Sequence, residues 1–372
     1  MTHNHLPQNE RVYSRQIAFA AAFLLPAAKL LEVPSLLARY AKGDLLLPAL
    51  AHFLLQALVL LGLLYAASKS EIPLLERLKR TLGKGMLAVY IVYALYFLFA
   101  VALPLLDLEK FVYAAFFDTA PTTFAFSFFF LLSAYICTKA IKSIGRAADI
   151  CLFLFLVPFL AIMVMSLVTT DFSALLPPFD TKFYRLSEAF TRTSPQFSDG
   201  ILLFPLIGNL RYKQGDGKKI LGGYGLGAAF TLFFLAVFYG IYASIAPREH
   251  YAFSKIAQYF PALEVIGRID LLFVYFLSVV LFFYTCLPLQ YATGLLSDAL
   301  GIKRKAWLAA ILNFLLFIAV LFLNRHYDGI YAVIGSKLFW VFWLFADLFP
   351  IFVLLLPATL KKEVRYAQST QP

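Results

Sequence analysis

Lys29 and Glu32 lie three residues apart in the stretch LPAAKLLEVP (25–34), whose flanks RQIAFAAAFL and SLLARY are largely apolar. An ammonium and a carboxylate so placed can neutralise each other, or each can take the opposite charge of a ligand. The apolar run covers about 16–38, which puts Lys29 roughly 20 Å deep at 1.5 Å per residue, near the middle of a bilayer. A bare ammonium there costs about 3 kcal/mol on the mildest scale. Pro34 removes a backbone donor and disfavours helix at Val33, and Pro26 disturbs the preceding turn. Broken backbone at membrane depth is tolerated only where protein or a cavity surrounds it. The sequence therefore predicts a helix interruption at Pro26 and Pro34, with Ala27, Ala28, Lys29 and Glu32 facing a ligand site. A kinked helix whose Lys–Glu pair is purely structural is the plainer alternative.

A second interruption is expected in FSDGILLFPLIGNLR (197–211). As a helix it would reach about 22 Å, short of a hydrocarbon core of about 30 Å. Gly200, Pro205 and Gly208 can supply an unwound section, Asp199 and Asn209 add polar groups, and Phe204 is placed to line the same site. A short helix in thinned bilayer explains the length equally well. The pairing adds weight. Two broken spans in corresponding positions of two halves point to inverted repeats with a ligand site at the midplane. Free peptide groups at the broken ends can bind both charges of a zwitterion, most simply an amino acid. Tyr93 and Tyr96, with Tyr284 and Gln290 further on, are weaker candidates for the same cavity. Asp347 reads either as a coupling acid or as a partner to a neighbouring helix.

The elements that position these residues follow from composition. Hydrophobic residues make up 62% of the 372 and charged residues 14%, where a soluble domain carries about a quarter charged. Ten apolar spans recur, at about 16–38, 45–67, 85–106, 122–141, 149–169, 197–211, 219–246, 269–293, 305–323 and 337–358. The chain reads as one transmembrane domain, 1–372, with five-helix halves at 16–169 and 197–358. With the N-terminus cytoplasmic, the inner segments hold 20 Lys and Arg and the outer ones 11, which orients both termini inward. The net charge of +11 is therefore a topology signal with attraction to anionic lipid, and nucleic acid is not a predicted partner. Residues 70–85 set Ile72, Leu75, Leu78 and Leu82 on one face of an interfacial helix, with Arg77 and Lys79 on others. Residues 252–270 align Phe253, Ile256, Ala257 and Phe260 on a segment expected to lie along the outer surface. Cys137, Cys151 and Cys286 read as buried hydrophobes, and the five histidines show no ligand spacing. No metal, cofactor or catalytic constellation is expected, so an enzyme is not. LGGYGLG (221–227) opens an apolar span and follows no strand, which makes it a helix-packing element instead of a dinucleotide fingerprint.

Several stretches, in order, resemble the B subunit of GerA-type spore germinant receptors, within the amino acid–polyamine–organocation superfamily. These are LLERLKRTLGKGMLAVYIVYALYFL (74–98), APTTFAFSFFFLLSAYICTKAIKSIGRAADI (120–150), DFSALLPPF (171–179), FSDGILLFPLIG (197–208) and GRIDLLFVYF (267–276). Within them Tyr135, Arg146 and Asp149 are similar to a pattern after span four, and Arg268 and Asp270 to an R-x-D before span eight. The resemblance implies an all-helical LeuT-like 5+5 inverted repeat with discontinuous helices one and six. It also implies a germinant-binding subunit that works with A and C subunits in the inner spore membrane, with amino acids as common germinants and ions released on activation. The competing reading of the same fold is a proton- or sodium-coupled amino-acid permease. The sequence departs from the family where a Gly-containing break is usual: it has Ala27-Ala28-Lys29. Lys29 there can meet a ligand carboxylate, serve as a built-in cation, or hold the site shut.

Overall fold

A computed structural model describes residues 12–70, 72–116, 122–258, 269–302, 305–323, 326–334 and 336–355. Arg268 and Phe260, singled out above, lie outside the described residues. Among the described residues six continuous helices are long and apolar enough to cross a bilayer: Leu46–Ser68, Met86–Val112, Lys142–Ser166, Asp216–Arg248, Leu271–Leu300 and Lys305–Leu323. They form because a chain in hydrocarbon must satisfy its peptide groups within its own segment. They are spans two, three, five, seven, eight and nine. Span four is Thr122–Cys137 and span ten Lys337–Leu355. Span one is two helices, Ser14–Ala28 and Val33–Asp44, bent by 65° at a short break. Span six is likewise two, Phe183–Thr193 and Asp199–Gly208.

Packing partners reveal the repeat. Spans two and seven, three and eight, and four and nine pack on their own counterparts. Span one packs on spans seven and five, as span six packs on spans two and ten. Each relation maps helix k onto helix k+5, as an internal two-fold requires.

Local chemistry explains the supporting joints. The glycine-rich start of span seven is a packing face. A Cβ on Gly223 would lie 2.4 Å from the Ala18 carbonyl oxygen, and one on Gly227 2.4 Å from that of Ala21. Gly222 and Gly225 face open space. The interfacial helix is present as Leu74–Leu82, but Arg77 is not on its exposed side. Arg77 is buried and donates to the Ala66 carbonyl at 2.6 Å. A cation there complements the C-terminal end of span two. Gln290 serves as a helix cap and does not line the recess between the broken helices. Its amide donates to the Lys139 and Ala140 carbonyls at 2.7 and 3.2 Å, closing the end of span four.

Candidate functional site

The break in span one begins with a π-helical turn at Ala20–Leu24, where the Leu25 N–H reaches back to the Ala20 carbonyl. The ring of Pro26 crowds the carbonyl four residues before it, and one widened turn relieves that clash. Helix stops at Ala28 and resumes at Val33, with Pro34 in its first turn. Residues 29–32 are therefore not helical, and the Lys29–Glu32 pair of the plainer alternative does not form, because spacing by three makes neighbours only on a helix. Lys29 turns inward, 1% exposed, and its Nζ meets Asp199 Oδ1 at 2.6 Å. It also donates to the Leu25 carbonyl at 3.4 Å and lies 5.4 Å from the centre of the Phe197 ring. Glu32 turns to the far side and pairs with His250 Nδ1 at 2.8 Å. That hydrogen bond, foremost, raises the pKa of His250 above its ordinary value.

The break in span six falls at Ser194–Ser198, upstream of the residues expected to open it. Pro205 lies inside the helix Asp199–Gly208. The acceptor its ring leaves without a partner costs one bond of a short helix, and its own carbonyl accepts from Asn209 Nδ2 at 2.8 Å. Gly208 serves close packing: a Cβ there would lie 2.5 Å from Leu75 Cγ. The real opening is shaped by distant residues. His52 is stacked between Phe190 and Phe197, at 3.9 and 4.5 Å. Its Nε2 lies 2.8 Å from the Phe190 carbonyl. A carbonyl only accepts, so Nε2 carries the hydrogen. Gln56 Oε1 accepts from the Gly200 N–H at 2.8 Å, while Asp347 Oδ1 accepts from that of Ile201 at 3.1 Å. Gln56 Nε2 donates to Asp347 Oδ2 at 2.8 Å and closes the ring. Gly200 is small because Val59 lies 2.6 Å from where its Cβ would be. Tyr224 donates to Asp199 Oδ2 at 3.2 Å.

The free peptide groups expected to hold a zwitterion are thus largely occupied. Gln56 and Asp347 take the two N–H groups above, and the Leu31 and Leu30 carbonyls accept from the backbone of Ala252 and Phe253 at 3.1 and 3.0 Å. Charge recognition then falls to side chains, foremost the Lys29–Asp199 pair. Each charge sits where a helix end favours it: Lys29 at the C-terminus of Ser14–Ala28, Asp199 in the first turn of Asp199–Gly208.

Next to the first break is a small recess of about 20 Å³, roughly room for one water. Ala28 and Leu31 line it from one break and Pro195 and Gln196 from the other. Spans three, eight and ten add Phe99, Ala100, Pro104, Asp107, Leu281, Tyr284 and Trp343. Of the sequence-predicted residues, Ala28 and Tyr284 reach this recess. Ala27 and Lys29 are buried at the break beside it. Tyr96 stands behind Trp343, ring centres 4.9 Å apart. Phe204 packs on Tyr93 at 6.3 Å and does not line the recess. His52, Gln56, Gln196 and Trp343 were not singled out. A lone His and Gln in the apolar span Leu46–Ser68 are themselves a signal, since polar groups at membrane depth face the interior.

Apolar helices long enough to cross a bilayer, with breaks joined through a buried ion pair, define a multi-pass helical membrane protein. The family model of the spore germination proteins matches residues 45–328, and the chain belongs to that family. A search of curated proteins gives no match. Among solved structures the chain is similar to MhsT in complex with L-phenylalanine, with TM-score 0.66 and 13% identity over 96% of this chain and 99% of that one. It is also similar to a manganese transporter of Eremococcus coleocola, with TM-score 0.58 and 12% identity over 95% and 79% of the two chains. A Na⁺-coupled sialic acid symporter gives TM-score 0.54 and 12% identity over 85% and 75%. The fold is LeuT-like, and family and fold are those of permease-type proteins.

Proposed function

We propose that the chain is the germinant-binding membrane subunit of a spore germination receptor, and that it takes a small zwitterion, most simply an amino acid, between its two broken helices. The observation that carries this is the Lys29–Asp199 pair, 2.6 Å long and fully buried beside the recess. Two opposite charges already matched to two helix ends are a template for a ligand ammonium and carboxylate. On binding, the carboxylate meets Lys29 and the ammonium meets Asp199. Ala27, Ala28, Tyr284 and Trp343 shape the space around the rest of the ligand, with Tyr96 behind them. Both termini are cytoplasmic on the charge distribution, and A and C subunits in the inner spore membrane complete the receptor. A self-sufficient amino-acid permease is the second reading, favoured by a structural match that spans almost all of MhsT.

One experiment separates the two. The purified chain is reconstituted in liposomes alone and then with the A and C subunits. Ion release that needs the partners and an amino acid is the expected result. Saturable amino-acid uptake by the chain alone would replace the receptor reading with the permease. Binding unchanged in Lys29→Met would place the ligand elsewhere.

A further inference from the structure

The charge count around the broken helices does not close. Asp199 and Asp347 are both buried, 1% and 3% exposed, and Lys29 is committed to Asp199. Among the described residues no ammonium or guanidinium lies within ion-pair distance of Asp347. The groups that face it from other spans are Gln56, Asp199 itself, and the phenols Tyr93, Tyr96 and Tyr224. Each phenol is neutral. The interfacial helix also packs on span ten, and its Arg77 donates to the Ala66 carbonyl. The N-terminus of Asp199–Gly208 contributes about half an elementary charge. Two carboxylates and the C-terminal end of Ser14–Ala28, against one ammonium and one N-terminal end, leave the centre about one charge negative with Asp347 ionised and about neutral with it protonated, among buried side chains.

Hydrogen bonds do not settle which form Asp347 takes. A carboxyl oxygen accepts one bond whether or not it carries a proton, so the Ile201 N–H and the Gln56 amide serve both forms. The charge decides. A metal ion fits poorly, because both oxygens are already engaged and no cluster of three His, Cys, Asp or Glu occurs among the described residues.

We propose that Asp347 is a proton-exchange site: it ionises while the centre is open to water, and it takes up one proton when the centre closes around a bound amino acid. The balance is one carboxylate and one proton from solvent giving one carboxylic acid. The proposal rests on the amino-acid reading above, and the test keeps the two apart.

The full chain is purified and titrated in weak buffer with each of the common L-amino acids. The expected result is uptake of about one proton per bound ligand. Affinity should fall about ten-fold per pH unit on the alkaline side. Asp347→Asn should abolish the uptake and flatten the pH dependence. Binding by Asp347→Asn with the wild-type pH slope would overturn the proposal, as would a wild-type affinity that follows Na⁺ and ignores pH. Infrared difference spectra of the wild type are independent of any variant's folding. A buried carboxylic-acid carbonyl band that appears on ligand binding supports the proposal, and its absence overturns it. If no amino acid binds, the ligand reading fails, and the acid-minus-alkaline spectrum of the ligand-free chain still decides. A carbonyl band that disappears as pH rises and is missing in Asp347→Asn keeps Asp347 as a proton site, and the absence of such a band removes it.

Discussion

Spans one and six are broken in corresponding positions, yet the two breaks are made by different means. In span one the cause is local: Pro26 widens a turn, Pro34 restarts the helix, and the intervening carbonyls are taken by the backbone of residues 252–253. In span six one local proline, Pro195, is joined by remote groups. The gap at Ser194–Ser198 is shaped by a stacked His52, a bridging Gln56 and Asp347 from span ten. A break encoded in its own residues survives changes elsewhere, whereas one encoded in its neighbours can be shifted by them. That asymmetry makes span six the more responsive half of the site.

The contrast is tested hardest at the one link the two breaks share. Lys29→Met leaves Asp199 buried and unpaired, which should cost about 3–5 kcal/mol. Asp199→Leu added to it should restore most of the loss, because a well-packed apolar pair replaces a buried ion pair with little penalty. Thermal unfolding in detergent reads both. A single variant as stable as wild type would mean that the breaks are not joined through this pair.

The next effect concerns the support of span one alone. Gly223→Ala drives a Cβ to 2.4 Å from the Ala18 carbonyl oxygen, and backbone cannot yield as a side chain can. Overpacking of this kind costs about 2–3 kcal/mol. Gly222→Ala meets nothing and should gain up to about 1 kcal/mol from helix propensity. Equal melting points for the two variants would remove the close crossing of spans one and seven. Smaller again is Gln56→Leu, which strips the Gly200 N–H and one Asp347 oxygen of their partners. About 1–2 kcal/mol should be lost. Proteolysis or cysteine labelling should show the loosening at residues 194–200 and not at residues 29–32. Labelling that rises equally at both would erase the distinction between a local and a remote break.

The same asymmetry explains what could be read from the sequence. The spans were legible because hydrocarbon imposes a length and an apolar run on each, and the first break was legible because prolines act on their own turn. The first half of span six was missed because Phe183–Thr193 carries Arg185, Glu188 and Arg192 and looks like a surface loop. Its inward face rests on spans one and two, a tertiary fact with no local signature. Pro205 and Gly208 attracted attention as breakers, although one is absorbed by a short helix and the other makes room for Leu75. Glu32 was expected to face the ligand site with Lys29, and in the structure it turns away from it. Its true partner, His250, is 218 residues away. Gln56 and His52 carried a readable signal, polarity inside an apolar span, that spacing rules for metal ligands do not register.

His250 and Glu32 give the smallest and most conditional effect. They tie the far-side segment at residue 250 to the break in span one, next to the two backbone bonds from Ala252 and Phe253. The bond to Glu32 raises the folded-state pKa of His250 above the ordinary 6.5. A raised pKa means that the folded state binds the proton more tightly. The stabilisation is therefore full below about 6.5 and is lost as pH rises through the raised value. The imidazole is 54% exposed, so solvent screening holds the contribution to at most about 1 kcal/mol. His250→Gln should lower the melting temperature in mild acid and leave it unchanged in alkali. The backbone bonds do not titrate and should keep the segment seated in both. A difference between variant and wild type that stays constant across that window would show that the imidazole is packing there without exchanging charge, and that the span-one break is held from the far side by its backbone contacts alone.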